Sequence, residues 1–395
     1  MTGIVSRGFV IHDMMEFFRV TVFDLDSSIP LEIQPYCPAC EAPLETLAAL
    51  MGNDGKQRIR LGFCPKCGYI GYIDRPTKDW MVNFYANVWD THIAKSVAEV
   101  RTQPLLVQEK KSSRLIAVRL AETLGVAKDR PVCEIGSGYG SVLKYFQDIG
   151  FSKVYGTENS EHRAKIVSEA YNLSVFAGNF EGEKVQHELK RVAPIGLFFS
   201  HHVFEHVYHP AEVIKSISSL QREGDYVVLA LPNSIGEHAG YELFYLPHLH
   251  SFSKESLELL LNRFGYEVVA ESFPTADNMI FAFRKVASPR SKFALCSDYR
   301  KIVSDKFISG LGLSALGNRG LFEYRWLVAG RSYNDSEMIP TNRVAWYLEK
   351  AIMFIGAKFK RFTSAHIFLV RPLKKKITDA LIEIQFPERI KLLMK

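Results

Sequence analysis

The residues whose types and spacing speak most directly of chemistry are two pairs of cysteines, Cys37-Pro38-Ala39-Cys40 and Cys64-Pro65-Lys66-Cys67, 23 residues apart. Two C-x-x-C turns at such a separation place four thiolates around one tetrahedral ion, so the spacing predicts a structural zinc site with no open position for a substrate. The first residues lack a basic stretch followed by an apolar core and a cleavage site, so no secretory signal is expected. A reducing compartment disfavours disulfides, and Cys133 and Cys296 read as small core residues. The next informative stretch is Val132-Cys133-Glu134-Ile135-Gly136-Ser137-Gly138-Tyr139-Gly140. Val132 and Ile135 read as the end of a buried strand, and Ser141 to Phe146 continues as an amphipathic helix. Gly136, Gly138 and Gly140 therefore sit at a strand-to-helix turn, where backbone N–H groups at a helix N-terminus can meet a nucleotide-like ligand unobstructed by side chains. The dinucleotide pattern G-x-G-x-x-G is not met, because Ser141 stands where its third glycine would be, which argues against NAD.

An acid just before G-x-G-x-G resembles the first motif of the class I S-adenosylmethionine-dependent methyltransferases. That resemblance implies a second acid at the end of the next strand, binding both ribose hydroxyls, and Lys153 to Glu158 supplies it in Glu158. Val175 to Phe180 is similar to the family's third strand and loop, where Asn179, in place of the usual Asp, would meet the adenine amino group and Phe180 would cover the ring. Leu197 to Pro210 resembles the fourth strand and the Glu-His pair of small-molecule and sugar methyltransferases. In that reading Ser200, His201 and His202 face the methionine end of the cofactor, while Glu205 and His206 hold the following loop. His202-x-x-Glu205-His206 also satisfies the inverted zinc-protease pattern, which requires both histidines on one long helix.

Downstream, Phe244-Tyr245-Leu246-Pro247-His248-Leu249-His250-Ser251-Phe252-Ser253 resembles the Y-H-E-H-L-S-Y-F-S signature of deoxysugar C-methyltransferases. Tyr245 and His248 match its acid–base positions, and with His202 they are the candidate catalytic residues. Pro247 replaces the glutamate and cannot take a proton, which favours an O-methyl over a C-methyl product, since one imidazole can serve as general base for a hydroxyl. The alternative for His248 and His250 is a structural pair capping the helix that begins near Ser253. An N-terminal cysteine module followed by aromatics such as Trp80, Phe84 and Tyr85 is similar to the layout of those sugar enzymes, whose aromatics help close the substrate cleft. The acceptor so implied is a sugar or glycan intermediate, nucleotide- or lipid-linked.

An RNA methyltransferase using the cysteine module as its RNA contact is the second reading. Residues 37–75 hold Lys56, Arg58, Arg60, Lys66 and Arg75 against Glu41, Glu45, Asp54 and Asp74, a near balance that favours a small acceptor over nucleic acid. With 395 residues and 47% apolar content the chain buries a sizeable core, and no apolar run is long enough to span a membrane. The expected fold is α/β, a Rossmann-like doubly wound methyltransferase sheet over residues 126–286. It is preceded by an extension (1–36), a zinc ribbon (37–75) and a helical linker or substrate cover (76–125), and followed by a basic, α-rich extension (287–395). Residues 341–395 carry 12 Lys plus Arg against 4 Asp plus Glu, whereas the whole chain is only +6. A basic, apolar tail of this kind suits an anionic membrane surface, with a solvated face or a homodimer contact as the plainer use. The expected location is the cytoplasm, with peripheral contact at the inner membrane surface.

Overall fold

Short, largely apolar strands alternate with amphipathic helices from Ser113 onward, and this alternation builds a mostly parallel sheet covered on both faces. In this computed structural model the residues described are 8–10, 19–21, 29–51, 58–85, 95–102, 113–233, 247–275, 278–289 and 299. Helix α1 (Ser113–Thr123) leads into β1 (Val132–Ile135), α2 (Ser141–Asp148), β2 (Val154–Glu158), α3 (Glu161–Tyr171) and β3 (Ser174–Ala177). There follow α4 (Glu183–Val192), β4 (Leu197–His201), α5 (Pro210–Ser219), β5 (Tyr226–Pro232), α6 (Lys254–Asn262), β6 (Tyr266–Thr275) and β7 (Asn278–Lys285). These strands form a seven-stranded sheet in the order β3-β2-β1-β4-β5-β7-β6. The first five are mutually parallel, and β7 pairs antiparallel with both β5 and β6.

Period-two alternation sends the side chains to two cores. Cys133, Ile135, Phe198, Val227, Leu229, Phe281 and Phe283 pack with α4, α5 and α6, whereas Val132, Leu197, Phe199, Val228, Ile280 and Ala282 pack with α1 and α2. Each fully buried large side chain contributes about 1.5–3 kcal/mol. The order reverses at β1, whose next neighbour on one side is β2 and on the other β4, so a crevice opens at the carboxyl ends of these strands.

A second, six-stranded antiparallel sheet has the order His250–Ser251, Ile70–Tyr72, Arg58–Phe63, Glu45–Met51, Gly8–Val10, Arg19–Thr21. The extension and the cysteine module thus share one sheet, and its last strand, His250–Ser251, comes from between β5 and α6. Nothing local in the sequence announces that strand, since its pairing with Ile70 and Gly71 is long-range. Three contacts dock the module on the larger unit. Ser253, which caps α6 in a capping box with Ser256, donates through Oγ to the Cys67 carbonyl at 2.7 Å. Arg263, at the end of α6, donates to the carbonyls of Pro38 (2.9 Å) and Ala39 (3.0 Å). Buried Arg75 donates to the Tyr208 carbonyl at 2.7 Å and lies over the Tyr208 ring. No helix among the described residues is long and apolar enough to cross a membrane.

Candidate active site

The cofactor side is built on the glycine turn between β1 and α2. Gly136, Gly138 and Gly140 have φ of 70°, 54° and 73°, left-handed values that a side chain would strain. A Cβ at Gly136 would stand 2.5 Å from Val203 Cγ2, and one at Gly140 2.5 Å from Val167 Cγ1, so these two permit close packing. A Cβ at Gly138 would meet nothing within 4 Å, so the middle glycine fronts an open cradle. Glu158, the last residue of β2, reaches across to it. Its Oε2 accepts the Gly138 N–H at 2.8 Å and its Oε1 the Ser160 N–H at 3.1 Å.

Buried polar atoms gather at the same strand ends. Glu134 Oε2, Ser137 Oγ and Ser200 Oγ have no hydrogen-bond partner within the protein, which in a native site calls for a ligand or water. Burial, with Glu158 nearby, pushes the Glu134 carboxyl well above the ordinary range against the pull of Arg114. Such a group gains from a cation. Two acids, a glycine cradle and orphaned hydroxyls therefore fit S-adenosylmethionine, which presents ribose hydroxyls, an ammonium and a sulfonium. His201, at the end of β4, lies with Nε2 2.9 Å from Ser113 Oγ, and burial, with His202 and Arg114, lowers its pKa to about 3. Asn179 follows β3 and accepts the Glu181 N–H at 2.8 Å. Phe180 is buried edge-on to Phe198 in the core.

The second half of the site follows β4. His202 has φ 52°, a strained value for a non-glycine residue. Phe204–His206 is a single 3-10 turn. The H-x-x-E-H stretch consequently lacks the long helix that a zinc protease needs. Glu205 is 1% exposed, with His202 Nδ1 3.3 Å and His206 Nε2 3.9 Å from its Oε1. Burial alone would raise the Glu205 pKa, but His206, His202 and His248 hold it down at about 2. His206 Nδ1 lies 2.9 Å from the Pro247 carbonyl and 2.8 Å from the Tyr85 hydroxyl. A carbonyl only accepts, so Nδ1 carries the ring proton. The His248 ring is 4.6 Å from that of His206.

His250 has a different place. It is buried, with Nε2 2.9 Å from the Val207 carbonyl and Nδ1 2.6 Å from the Tyr69 hydroxyl, so Nε2–H donates and Nδ1 accepts. Burial, with Arg75 nearby, lowers its pKa to about 3, which marks it as a neutral structural link. Tyr245 lies outside the described residues. The structure brings Glu205, His206 and Tyr85 together as a group, where sequence reasoning assigned Glu205 and His206 only to holding a loop. The signal available was the His202-x-x-Glu205-His206 spacing itself.

The four cysteines converge as their spacing predicts. Sγ–Sγ distances are 3.6 Å for Cys37–Cys67, 3.4 Å for Cys40–Cys64 and 3.8 Å for Cys40–Cys67. The two knuckles have matching turns, Glu41 N–H to Cys37 O and Gly68 N–H to Cys64 O, each at 2.9 Å. Bonds of about 2.3 Å to a tetrahedral zinc would separate the sulfurs by roughly 3.8 Å.

Residues 108–271 match a family model described as a methyltransferase domain. No curated protein sequence matches the chain. Among solved structures, a S-adenosylmethionine-dependent methyltransferase from Mesorhizobium loti is 14% identical, over 45% of this chain and 99% of its own, with a TM-score of 0.36. One from Archaeoglobus fulgidus is 18% identical over 46% of this chain and 98% of its own, with a TM-score of 0.37. The magnesium protoporphyrin IX methyltransferase of Synechocystis, solved with bound S-adenosylhomocysteine, is 13% identical over 53% of this chain and 100% of its own, with a TM-score of 0.38. The strand order, the glycine cradle with its two acids, and the family match converge on one part of the chain: residues 108–271 form a Rossmann-like methyltransferase domain suited to S-adenosylmethionine.

Proposed function

We propose that the enzyme methylates a hydroxyl of a sugar or glycan intermediate, nucleotide- or lipid-linked, and that its cysteine cluster holds one structural zinc. The observation that carries the acceptor reading is the convergence of His202, Glu205, His206 and His248 at the carboxyl end of β4, beside the cofactor cradle. An apolar acceptor would want an apolar wall there. A hydroxylated one wants hydrogen-bonding groups and a proton acceptor, and the imidazoles supply both. S-adenosylmethionine supplies an electrophilic methyl on a sulfonium. The protein aligns the acceptor, with Tyr85 against His206 as one wall, and His248 takes the hydroxyl proton as the oxygen attacks. The same residues are compatible with attack from carbon, but Pro247 stands where the C-methyltransferase signature has its glutamate, which favours the hydroxyl.

Zinc fits the site's dimensions and the module's place in the fold, because four thiolates at tetrahedral spacing leave no room for substrate and tie both knuckles to α6. A lipid-linked glycan would bring the enzyme to a membrane surface, a task suited to the basic tail of residues 341–395, which lies outside the described residues. The test is methyl transfer from labelled S-adenosylmethionine to a panel of nucleotide sugars, lipid-linked glycans and RNA, with NMR of the product. Label in an O-methyl sugar supports the proposal. Label only in RNA, or only on carbon, overturns its acceptor or its atom.

A further inference from the structure

Glu205 poses a problem that the methyltransferase fold leaves unsolved. Its side chain is 1% exposed, and what faces it is a set of imidazoles rather than a lysine or arginine. A buried carboxylate costs several kcal/mol unless hydrogen bonds and a cation compensate it. Two imidazole nitrogens face Oε1, one at hydrogen-bond distance and the other beyond it. His202 Nδ1 and His206 Nε2 lie 3.3 Å and 3.9 Å from Glu205 Oε1. Ligand atoms sharing one ion through bonds of about 2.0–2.2 Å stand roughly 3–3.5 Å apart. One potential ligand atom each from Glu205, His206 and His248 falls within 4.8 Å of the others.

The tautomer of His206 points the same way. With Nδ1–H turned to the Pro247 carbonyl, Nε2 carries the lone pair and faces the carboxylate. A histidine that donates its other ring N–H to a backbone carbonyl is the usual support of a metal-binding imidazole. We propose that Glu205, His206 and His248 form a second metal site, distinct from the four cysteines, for a divalent first-row transition ion such as Zn2+. Two imidazoles and one carboxylate leave coordination positions open, and a hydroxyl oxygen of the acceptor occupies one of them. This rests on the methyltransferase reading and refines it, since His248 then acts through the ion. The ion lowers the hydroxyl's proton affinity. The acceptor O–C bond forms as the methyl C–S bond breaks, the electron pair goes to sulfur, and the hydroxyl proton passes to His202.

The experiment is metal analysis of the full chain after dialysis against Zn2+ and, separately, Co2+. Two ions per chain are expected, falling to one in His248→Ala and in Glu205→Gln. Cobalt should show sulfur-to-metal charge-transfer bands from the cysteines that persist in both variants, while weaker bands without thiolate character disappear. A single all-thiolate ion in the wild type overturns the proposal, as does retention of both ions in His248→Ala. Loss of the second ion in His202→Ala but not in Glu205→Gln would instead assign it to the H-x-x-E-H pattern and overturn it too. Calorimetry with S-adenosylmethionine runs alongside. A wild type with one ion that still binds the cofactor refutes only the metal site, whereas two ions without cofactor binding refute the methyltransferase reading.

Discussion

Glu158 has two tasks that one substitution separates from the rest of the fold. It holds the Gly138 N–H in place and, on the proposed assignment, binds the ribose hydroxyls, so Glu158→Ala should weaken S-adenosylmethionine binding by about 1.5–3 kcal/mol, or more than tenfold in Kd, by calorimetry. Binding of NAD in place of S-adenosylmethionine by the wild type would contradict the assignment outright. Glu134 predicts a pH dependence. Its carboxyl is raised by burial, and a bound cation favours the ionised form, so cofactor binding should release a proton and affinity should rise with pH up to the raised value. Without cofactor the sign reverses for stability. The folded state holds a proton that the unfolded state gives up, so stability falls as pH climbs from the ordinary carboxylate range toward the raised value. Calorimetry in buffers of different ionisation enthalpy measures the proton count. His248→Ala should lower turnover by roughly 10²–10⁴-fold with cofactor affinity near wild type; unchanged turnover would make His248 a structural residue.

At the scale of elements, the cysteine module braces the segments that carry His206 and His248. Tyr69 holds His250, two residues beyond His248, and His250 and Arg75 together hold the carbonyls of Val207 and Tyr208, next to His206. If the cysteines hold zinc as proposed, its removal by Cys64→Ser or a chelator should therefore raise the acceptor KM and lower kcat. S-adenosylmethionine affinity should stay within about threefold, because the cradle belongs to β1 and β2. Equal loss of both would show that the module supports the whole sheet. His250 adds an acid-stability prediction. Its folded pKa of about 3 lies below the ordinary 6.5, so it stays neutral in the fold while the unfolded chain takes up a proton. Stability should be complete above about pH 6.5 and fall toward pH 3, by up to about 1.4 kcal/mol per pH unit for one such group. His250→Gln should flatten the fall of Tm with pH; an unchanged slope would assign it to His201 and His206, whose pKa values are also lowered by burial.

Over the whole molecule, charge is distributed unevenly. Residues 341–395 carry more positive charge than the entire chain nets, so the rest is slightly negative. If this tail contacts anionic lipid, the full chain should sediment with phosphatidylserine vesicles at low salt and be released as salt rises. Failure to sediment, or equal binding to neutral vesicles, would remove the membrane from the proposed function. The central sheet was legible throughout because each βαβ unit writes its own signals, a buried apolar run, a glycine turn and an amphipathic helix, within some 30 residues. The second sheet was legible only in its cysteine turns. Its outer strands come from residues 8–10, 19–21 and 250–251, which pair with partners far away in the chain.

The sequence by itself determined the α/β class, the succession of strands and helices along the chain, the glycine turn with Glu134 and Glu158, and the cysteine quartet. In each of these the cooperating residues are close in the chain or related by a repeating local pattern. Tertiary structure alone decided that His250 is a buried link while His248 faces Glu205 and His206, although only Leu249 separates them in one motif. It decided this through contacts that no local pattern encodes: Tyr69 lies 181 residues from His250, and the Pro247 carbonyl that sets the tautomer of His206 lies 41 residues from it. The physical reason is that an imidazole is defined by what meets its two nitrogens, and those partners arrive only when the two sheets dock.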